Sequence, residues 1–318
     1  MRRPRLKPES SIFHCISRVV GNAWLLRLRE KEVLRRQMWA VAEYCGVRIL
    51  TYAFMSNHYH IVVLVPPRED VSDAELLRRY RVLYPHLKPH QERRLEAVIA
   101  DMKVGGSLAA KWRQQQMRQM FDVSEFQKLL KMRFSIWYNK THQRFGTLWS
   151  DRFKSTIAQD GEAAQTMSAY VDLNSVRAHI VADPKDYRFC GYAEAVAGNA
   201  RAQAGLCELY GADWEETSKR YRCLLFGTIS DMRETKAPLS PDEFREVVKT
   251  GGRLALHEVL RCRIRYFADG VVLGSEEFVR ERASRLPGTK PRTPRPLAQV
   301  TNWNGLHILT RMRGNVWG

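Results

Sequence analysis

Two short runs of β-branched and aromatic residues set the first constraint on this chain. Val47-Arg48-Ile49-Leu50-Thr51-Tyr52-Ala53-Phe54 and His60-Ile61-Val62-Val63-Leu64-Val65 read as adjacent strands, closed by Pro66-Pro67. Residues two apart on a strand point to the same face. His58-Tyr59-His60 therefore offers two imidazoles side by side on a rigid sheet. That is a natural half-site for a divalent metal. The spacing alone is a weak signal, and the ordinary alternative is one packed and one solvated histidine.

The surrounding pattern predicts an α+β domain with an antiparallel sheet. Residues 12–18 read as a first strand. Residues 28–45 read as a helix, with Gly46 just past its end where a left-handed glycine is common. Residues 70–133 are mostly helical in pattern, dense in Arg, Lys and Gln, and interrupted near Gly105-Gly106. Residues 134–159 return to short aromatic runs and a loop around Gly146. Asp160-Gly161-Glu162 opens a helix through about residue 176, with Asp160 as the N-cap. The composition shifts after Asn199. This gives a domain over 1–199 with a helical insert at about 70–133, a helical extension over 200–286, and a basic, proline-rich linker and tail over 287–318. Within the extension, residues 260–278 read as helix, turn, helix, with Ser275 as an N-cap; a form suited to duplex DNA or a hairpin stem and a simple packing extension fit this pattern equally.

A formal charge of +18 over 318 residues points to an anionic polymer, nucleic acid first. The 44% hydrophobic content suffices for a sizeable core. No apolar run approaches the roughly 18 residues that a membrane span needs. The basic start, residues 1–8, has no apolar signal core behind it. The six cysteines are scattered without a zinc-type spacing, as expected of reduced thiols. A soluble, cytoplasmic protein is expected.

A second stretch, Ser168-Ala169-Tyr170-Val171-Asp172-Leu173-Asn174-Ser175-Val176-Arg177-Ala178, places Tyr170 and Asn174 one helical turn apart. If that helix packs on the sheet, a phenol and an amide oxygen would meet His58 and His60. Two imidazoles and the Asn174 oxygen would make three ligands, with positions left for water and a phosphate oxygen. Such mixed N/O ligands suit Mg²⁺ or Mn²⁺, with Mn²⁺ better matched to imidazole. Tyr170 would then be the nucleophile, and a 5′-phosphotyrosine would conserve the phosphodiester energy for rejoining.

Met55-Ser56-Asn57-His58-Tyr59-His60-Ile61-Val62-Val63 resembles the HUH motif (His, bulky hydrophobic, His) of single-tyrosine transposases, in detail that of the REP-associated tyrosine transposases. Three further blocks resemble the family in order. They are Phe13 to Arg18, then Tyr138 to Ser155 with its Gly146-Thr147-Leu148-Trp149 and Arg152-Phe153, then Tyr170 to Ala178. Asp186 to Tyr192 resembles the segment that closes the domain, so coverage is about residues 8–198. The resemblance implies a ferredoxin-like sheet (the HUH endonuclease fold), Tyr170 as nucleophile, and His58, His60 and Asn174 as metal ligands. It implies cleavage and rejoining of single-stranded DNA beside an imperfect hairpin. Two departures are Ser175 in place of the usual proline and the long helical insert.

Arg18, Arg144, Arg152, Lys154 and Arg177 are further candidates for phosphate contact, and Trp149 or Phe153 for base stacking. His14 and His142 are other histidines of possible use, more readily read as structural or exposed. The rival functions are a domesticated DNA-binding protein that recognises repeat hairpins without catalysis, and a replication or mobilisation relaxase of the HUH type. Either a monomer or a homodimer fits the pattern.

Overall fold

The computed structural model describes residues 10–227, 256–261, 267, 270–285, 295–296 and 305–310. Along the chain these belong to two compact units. One takes Met1–Lys31, Ile49–Leu64 and Leu148–Gly318, and the other Glu32–Arg48 and Val65–Thr147.

The first unit is built on a sheet. Its strands are β1 (Ser11–Arg18), β2 (Arg48–Phe54), β3 (His58–Val65), β4 (Lys154–Ala158), β5 (Gly270–Gly274), β6 (Arg295–Pro296) and β7 (His307–Thr310), in the order β2-β3-β1-β4-β5-β7-β6. The first four follow the ferredoxin-like order, in which β1 lies between β3 and β4. β1 has that central place because Ile12, Phe13, Cys15 and Ile16 supply apolar side chains to both faces, and every residue but Arg18 is buried. β1 and β4 run antiparallel, with His14 opposite Thr156 and Ile16 opposite Lys154.

The sheet is mixed rather than purely antiparallel, because β5 lies parallel to β4, Val272 opposite Ile157. This corrects the helix-turn-helix expected over 260–278. Val271-Val272-Leu273, bracketed by Gly270 and Gly274, is a short β-branched run between glycines, and its backbone completes the sheet. Gln159 N–H donates to Leu273 O at 2.8 Å, and Thr156 Oγ1 donates to Gly270 O at 2.8 Å. Ser275 does cap the helix that follows, Glu276–Ser284, by accepting from Phe278 N–H. The extension over 200–286 is therefore not wholly helical. Of the proline-rich linker, only Arg295 and Pro296 are among the described residues, and they pair with β7. The rest of the linker and the basic N-terminal residues 1–8 lie outside them.

The outer edge of β2 is covered by chain from further on. Phe54 N–H donates to Phe189 O at 2.9 Å, Ala53 bridges to Cys190, and Tyr187 Oη donates to Phe54 O at 2.6 Å. This removes an unpaired strand edge. Short helices α8 (Gly191–Val196) and α9 (Ala200–Glu208) follow. Their glycines allow close approach: a Cβ on Gly205 would sit 2.1 Å from the Ile49 carbonyl oxygen, and one on Gly191 2.2 Å from Thr51 Oγ1.

The second unit is helical. It holds most of α1 (Leu28–Cys45) with α2 (Asp73–Leu83), α3 (Pro89–Lys103), α4 (Ser107–Met117) and α5 (Val123–Thr141). Gly46 ends α1 at φ 65°, where a side chain would be strained. Tyr44 Oη donates to Gln116 Oε1 at 2.7 Å, and Tyr80 packs edge-on against Trp112. Several arginines here are paired: Arg113 with Asp70 and Asp73, and Arg78 and Arg79 with Glu75. Among the described residues, no helix is long and apolar enough to cross a membrane.

In a helix interior, glycine to alanine ordinarily gains about 1 kcal/mol. Gly205→Ala is expected to reverse that sign, lowering stability by about 1–3 kcal/mol, since the added methyl meets fixed backbone. Urea denaturation reads this as a lower midpoint. An unchanged midpoint would mean that α9 has room to move off β2.

Candidate active site

His58 and His60 share one face of β3, with ring centroids 5.0 Å apart. Tyr59 points to the opposite face and packs edge-on against Trp149 at 5.3 Å. This is the period-two alternation expected of the strand. The strand order then brings in a third imidazole. His14, on neighbouring β1, stacks on His60 at 5.1 Å, and its Nε2 lies 2.8 Å from His60 Nδ1. His14 Nδ1 in turn lies 2.9 Å from the Phe267 carbonyl oxygen.

These contacts determine the tautomers. A carbonyl oxygen only accepts, so His14 Nδ1 carries the proton. Burial holds the His14 pKa down at about 4, the Phe267 carbonyl opposing and Arg177 adding to the shift, so the ring is neutral at pH 7. Its Nε2 is then an acceptor, and His60 Nδ1–H must be the donor. His60 is also neutral: burial, then His58, His14, Arg177 and Arg18, push its pKa well below the usual value. Its unprotonated nitrogen is Nε2. His58 Nδ1 lies 2.6 Å from Asn57 Oδ1, while Asn57 Nδ2 faces the Asn22 carbonyl, so His58 Nδ1–H donates too. In both histidines Nδ1 is thus the atom spent on a neighbour, and in neutral His60 the lone pair that a metal or a proton would take is on Nε2.

Tyr170 lies on α6 (Glu162–Asp172), where Ala163 through Asp172 are buried except Gln165. The helix starts at Gly161 (φ 78°), and Asp160 turns its carboxylate back onto the Gly161 N–H instead of capping the helix. Tyr170 is 4% exposed and packs, tilted by 47°, against the Phe267 ring at 4.7 Å. The Arg177 guanidinium lies over the Tyr170 ring, 3.8 Å from its centroid, and donates to the Tyr170 carbonyl. Phe267 and Arg177 thus touch Tyr170, and both act on the histidines: Phe267 through its carbonyl, and Arg177 through its field on His14 and His60. The Tyr170 hydroxyl makes no hydrogen bond among the described residues. By contrast, Tyr44, Tyr52, Tyr187 and Tyr221 all spend their hydroxyls on partners.

The other expected residues are placed as follows. Asn174 is half-buried at the start of α7 (Asn174–Arg177), just past a break at Leu173. Its Nδ2 donates to Val171 O at 3.0 Å, and among the described residues it makes no hydrogen bond to a histidine. Arg18, Arg152 and Lys154 are exposed at one end of the β1–β4 pair, where Ser150 N–H and Oγ donate to Arg18 O. Trp149 and Phe153 are buried, 7% and 8% exposed, so neither offers a face to a base. Arg144 and His142 belong to the helical unit. Among the described residues, no group of three or more His, Cys, Asp or Glu side chains is arranged around a common metal position.

Sequence reasoning named His14 as a further site histidine but favoured a structural or exposed role for it, and passed over Asp172. The Asp172 carboxylate is fully buried and accepts from Thr51 Oγ1 of β2 (2.8 Å), Tyr221 Oη of α10 (Trp214–Phe226; 2.6 Å) and Tyr192 N–H of α8 (3.2 Å). It ties the C-terminal end of the Tyr170 helix to three other elements. Burial raises its pKa to about 6, against the pull of these hydrogen bonds.

No protein-family model matches the chain, and no curated protein matches it. Among solved structures, one of a REP-associated tyrosine transposase bound to a REP hairpin aligns over 62% of this chain and 86% of its own, at 13% identity and a TM-score of 0.38.

Two outcomes follow from this geometry. Imidazole ¹⁵N shifts at pH 7 are expected to show His60 as a neutral ring protonated at Nδ1. A His60 ring protonated at Nε2 would break the derivation. For Asp172, the folded pKa lies above the unfolded one. The folded state then binds the extra proton between about pH 4 and pH 6, so this group's contribution to stability falls as pH rises through that window. The fall is on the order of 3 kcal/mol. Asp172→Asn is expected to lack that component in denaturation measured from pH 4 to 7, and an unchanged pH profile would contradict it.

Proposed function

We propose that this protein cleaves and rejoins single-stranded DNA beside hairpin structures, with Tyr170 as nucleophile. The observation that carries the reading is the shared neighbourhood of Tyr170 and the histidine pair, through Phe267 and Arg177, with the Tyr170 hydroxyl unengaged. The four ordered sequence blocks agree with it.

The chain's own residues account for much of the chemistry. The Tyr170 oxygen attacks a DNA phosphorus, a tyrosyl O–P bond forms, and the bond to the 3′-oxygen breaks. The phenol loses its proton, and the departing 3′-oxygen takes one up as a 3′-hydroxyl. One phosphodiester is exchanged for another, so rejoining needs no outside energy. Arg177 and Phe267 both pack against the Tyr170 ring, restricting where the oxygen can point. Arg177 and Arg18 make the site electropositive, which suits a phosphate.

The donor set fits a divalent ion. Two imidazoles, His60 oriented by His14 and His58 by Asn57, favour Mn²⁺ over Mg²⁺. Such an ion would polarise the scissile phosphate and neutralise charge on its oxygens. Asn174 is the proposed third ligand through Oδ1. The amide orientation supports this, since Nδ2 is the atom spent on Val171.

Hairpin oligonucleotides with a single-stranded flank test the reading. The wild type is expected to form a covalent adduct that survives denaturing gels and maps to Tyr170. Tyr170→Phe should lose the adduct while keeping DNA affinity, and chelation should stop cleavage. An adduct formed by the Phe variant would overturn the nucleophile, and cleavage without divalent ions would overturn the metal. DNA binding with no cleavage by the wild type would favour a non-catalytic hairpin-binding protein.

A further inference from the structure

We propose that Trp24 is a base-stacking platform for single-stranded DNA entering the His58–His60 site, a role that rests on the function proposed above. The chain between β1 and α1 clasps the turn that leads into β3. Val19 N–H donates to Asn57 O at 2.8 Å, and Leu26 N–H donates to Ser56 O at 2.9 Å. Val19 and Leu26 are fully buried and anchor both ends. Between them, Gly21 and Asn22 take left-handed backbone conformations (φ 63° and 56°). The segment is thus held against Ser56-Asn57, and Asn57 is the residue that orients His58.

Trp24 sits in this clasp and is 77% exposed. Tryptophan is ordinarily well buried, with its N–H paired. Here the ring has no hydrogen bond, aromatic contact or cation contact among the described residues. An indole that a braced loop turns outward is a stiff flat surface, as base stacking requires. The charges nearby suit the same ligand. Arg18, at the end of β1, acts electrostatically on His60, and Arg27 and Arg152 are exposed; none of the three has an ion pair among the described residues. An exposed indole on a segment tied to Ser56-Asn57, the residues that lead into His58, with exposed arginines at both ends of that segment, matches a single strand: bases on the indole, phosphates on the guanidinium groups. A protein partner would be met instead by the apolar pair of Trp24 and Leu28, and that occupant is an outcome of the test.

The test uses full-length protein carrying Tyr170→Phe, so that binding is read without chemistry. Fluorescence anisotropy is measured with a labelled single-stranded oligonucleotide and with the duplex of the same sequence. Trp24→Ala is expected to weaken single-strand binding roughly tenfold or more, Trp24→Phe to keep most of it, and duplex binding to change little. The intrinsic fluorescence quenched by the single strand should shrink in Trp24→Phe. Equal single-strand affinity in Trp24→Ala overturns the proposal, as does an equal loss on duplex. A loss of self-association in Trp24→Ala with DNA affinity unchanged also overturns it, in favour of a protein partner. The two readings fail separately. If the wild type forms an adduct while Trp24→Ala binds normally, only the platform falls. If no adduct forms but the Trp24 dependence holds, the platform stands as a nucleic-acid site and strand transfer falls.

Discussion

Everything at the candidate site depends on a short chain of buried hydrogen bonds. The Phe267 carbonyl accepts from His14, and His14 accepts from His60. Each link leaves one choice for the next, so a backbone oxygen decides which nitrogen of His60 carries its lone pair outward. The chain exists because β1 lies between β3 and β4, which sets His14 beside His60 on one side and opposite Thr156 on the other. Burial supplies the other half of the constraint by keeping both rings neutral at pH 7. A charged ring here would neither accept from its neighbour nor bind a cation.

The Tyr170 helix is fixed by a different device. Asp172 is two residues on and gathers hydroxyl and amide donors from β2, α8 and α10. Burying a carboxylate is costly, and such a network stabilises little beyond what apolar packing would. It does specify a single arrangement, because each donor would be stranded if the helix slid. Tyr170, projecting from a different side of the same helix, is held by Phe267 and Arg177 with its hydroxyl unspent among the described residues.

Parts of this were legible in the sequence for simple geometric reasons. The face shared by His58 and His60 follows from strand periodicity, and the helix bearing Tyr170 from its apolar pattern. The role of His14 was not legible, because local pattern does not state which strands are neighbours. Trp149 was a sound candidate for stacking by composition, yet it fills the space beside Tyr59, while Trp24 is turned outward. Burial is a tertiary property, and two tryptophans in similar company can differ entirely in it. The strand at Gly270–Gly274 was hidden by its length: three β-branched or apolar residues cannot be told from a helix by period alone. Asn174 looked like a one-turn neighbour of Tyr170, but the helix breaks at Leu173 and the amide turns back to Val171.

The most direct test of the account is a crystal structure of the Tyr170→Phe protein with Mn²⁺ and a single-stranded hairpin oligonucleotide. The account predicts anomalous density for Mn²⁺ on the Nε2 atoms of His58 and His60, with a DNA phosphate between the ion and the residue-170 ring. Mn²⁺ bound elsewhere, or a phosphate seated away from that ring, would contradict it.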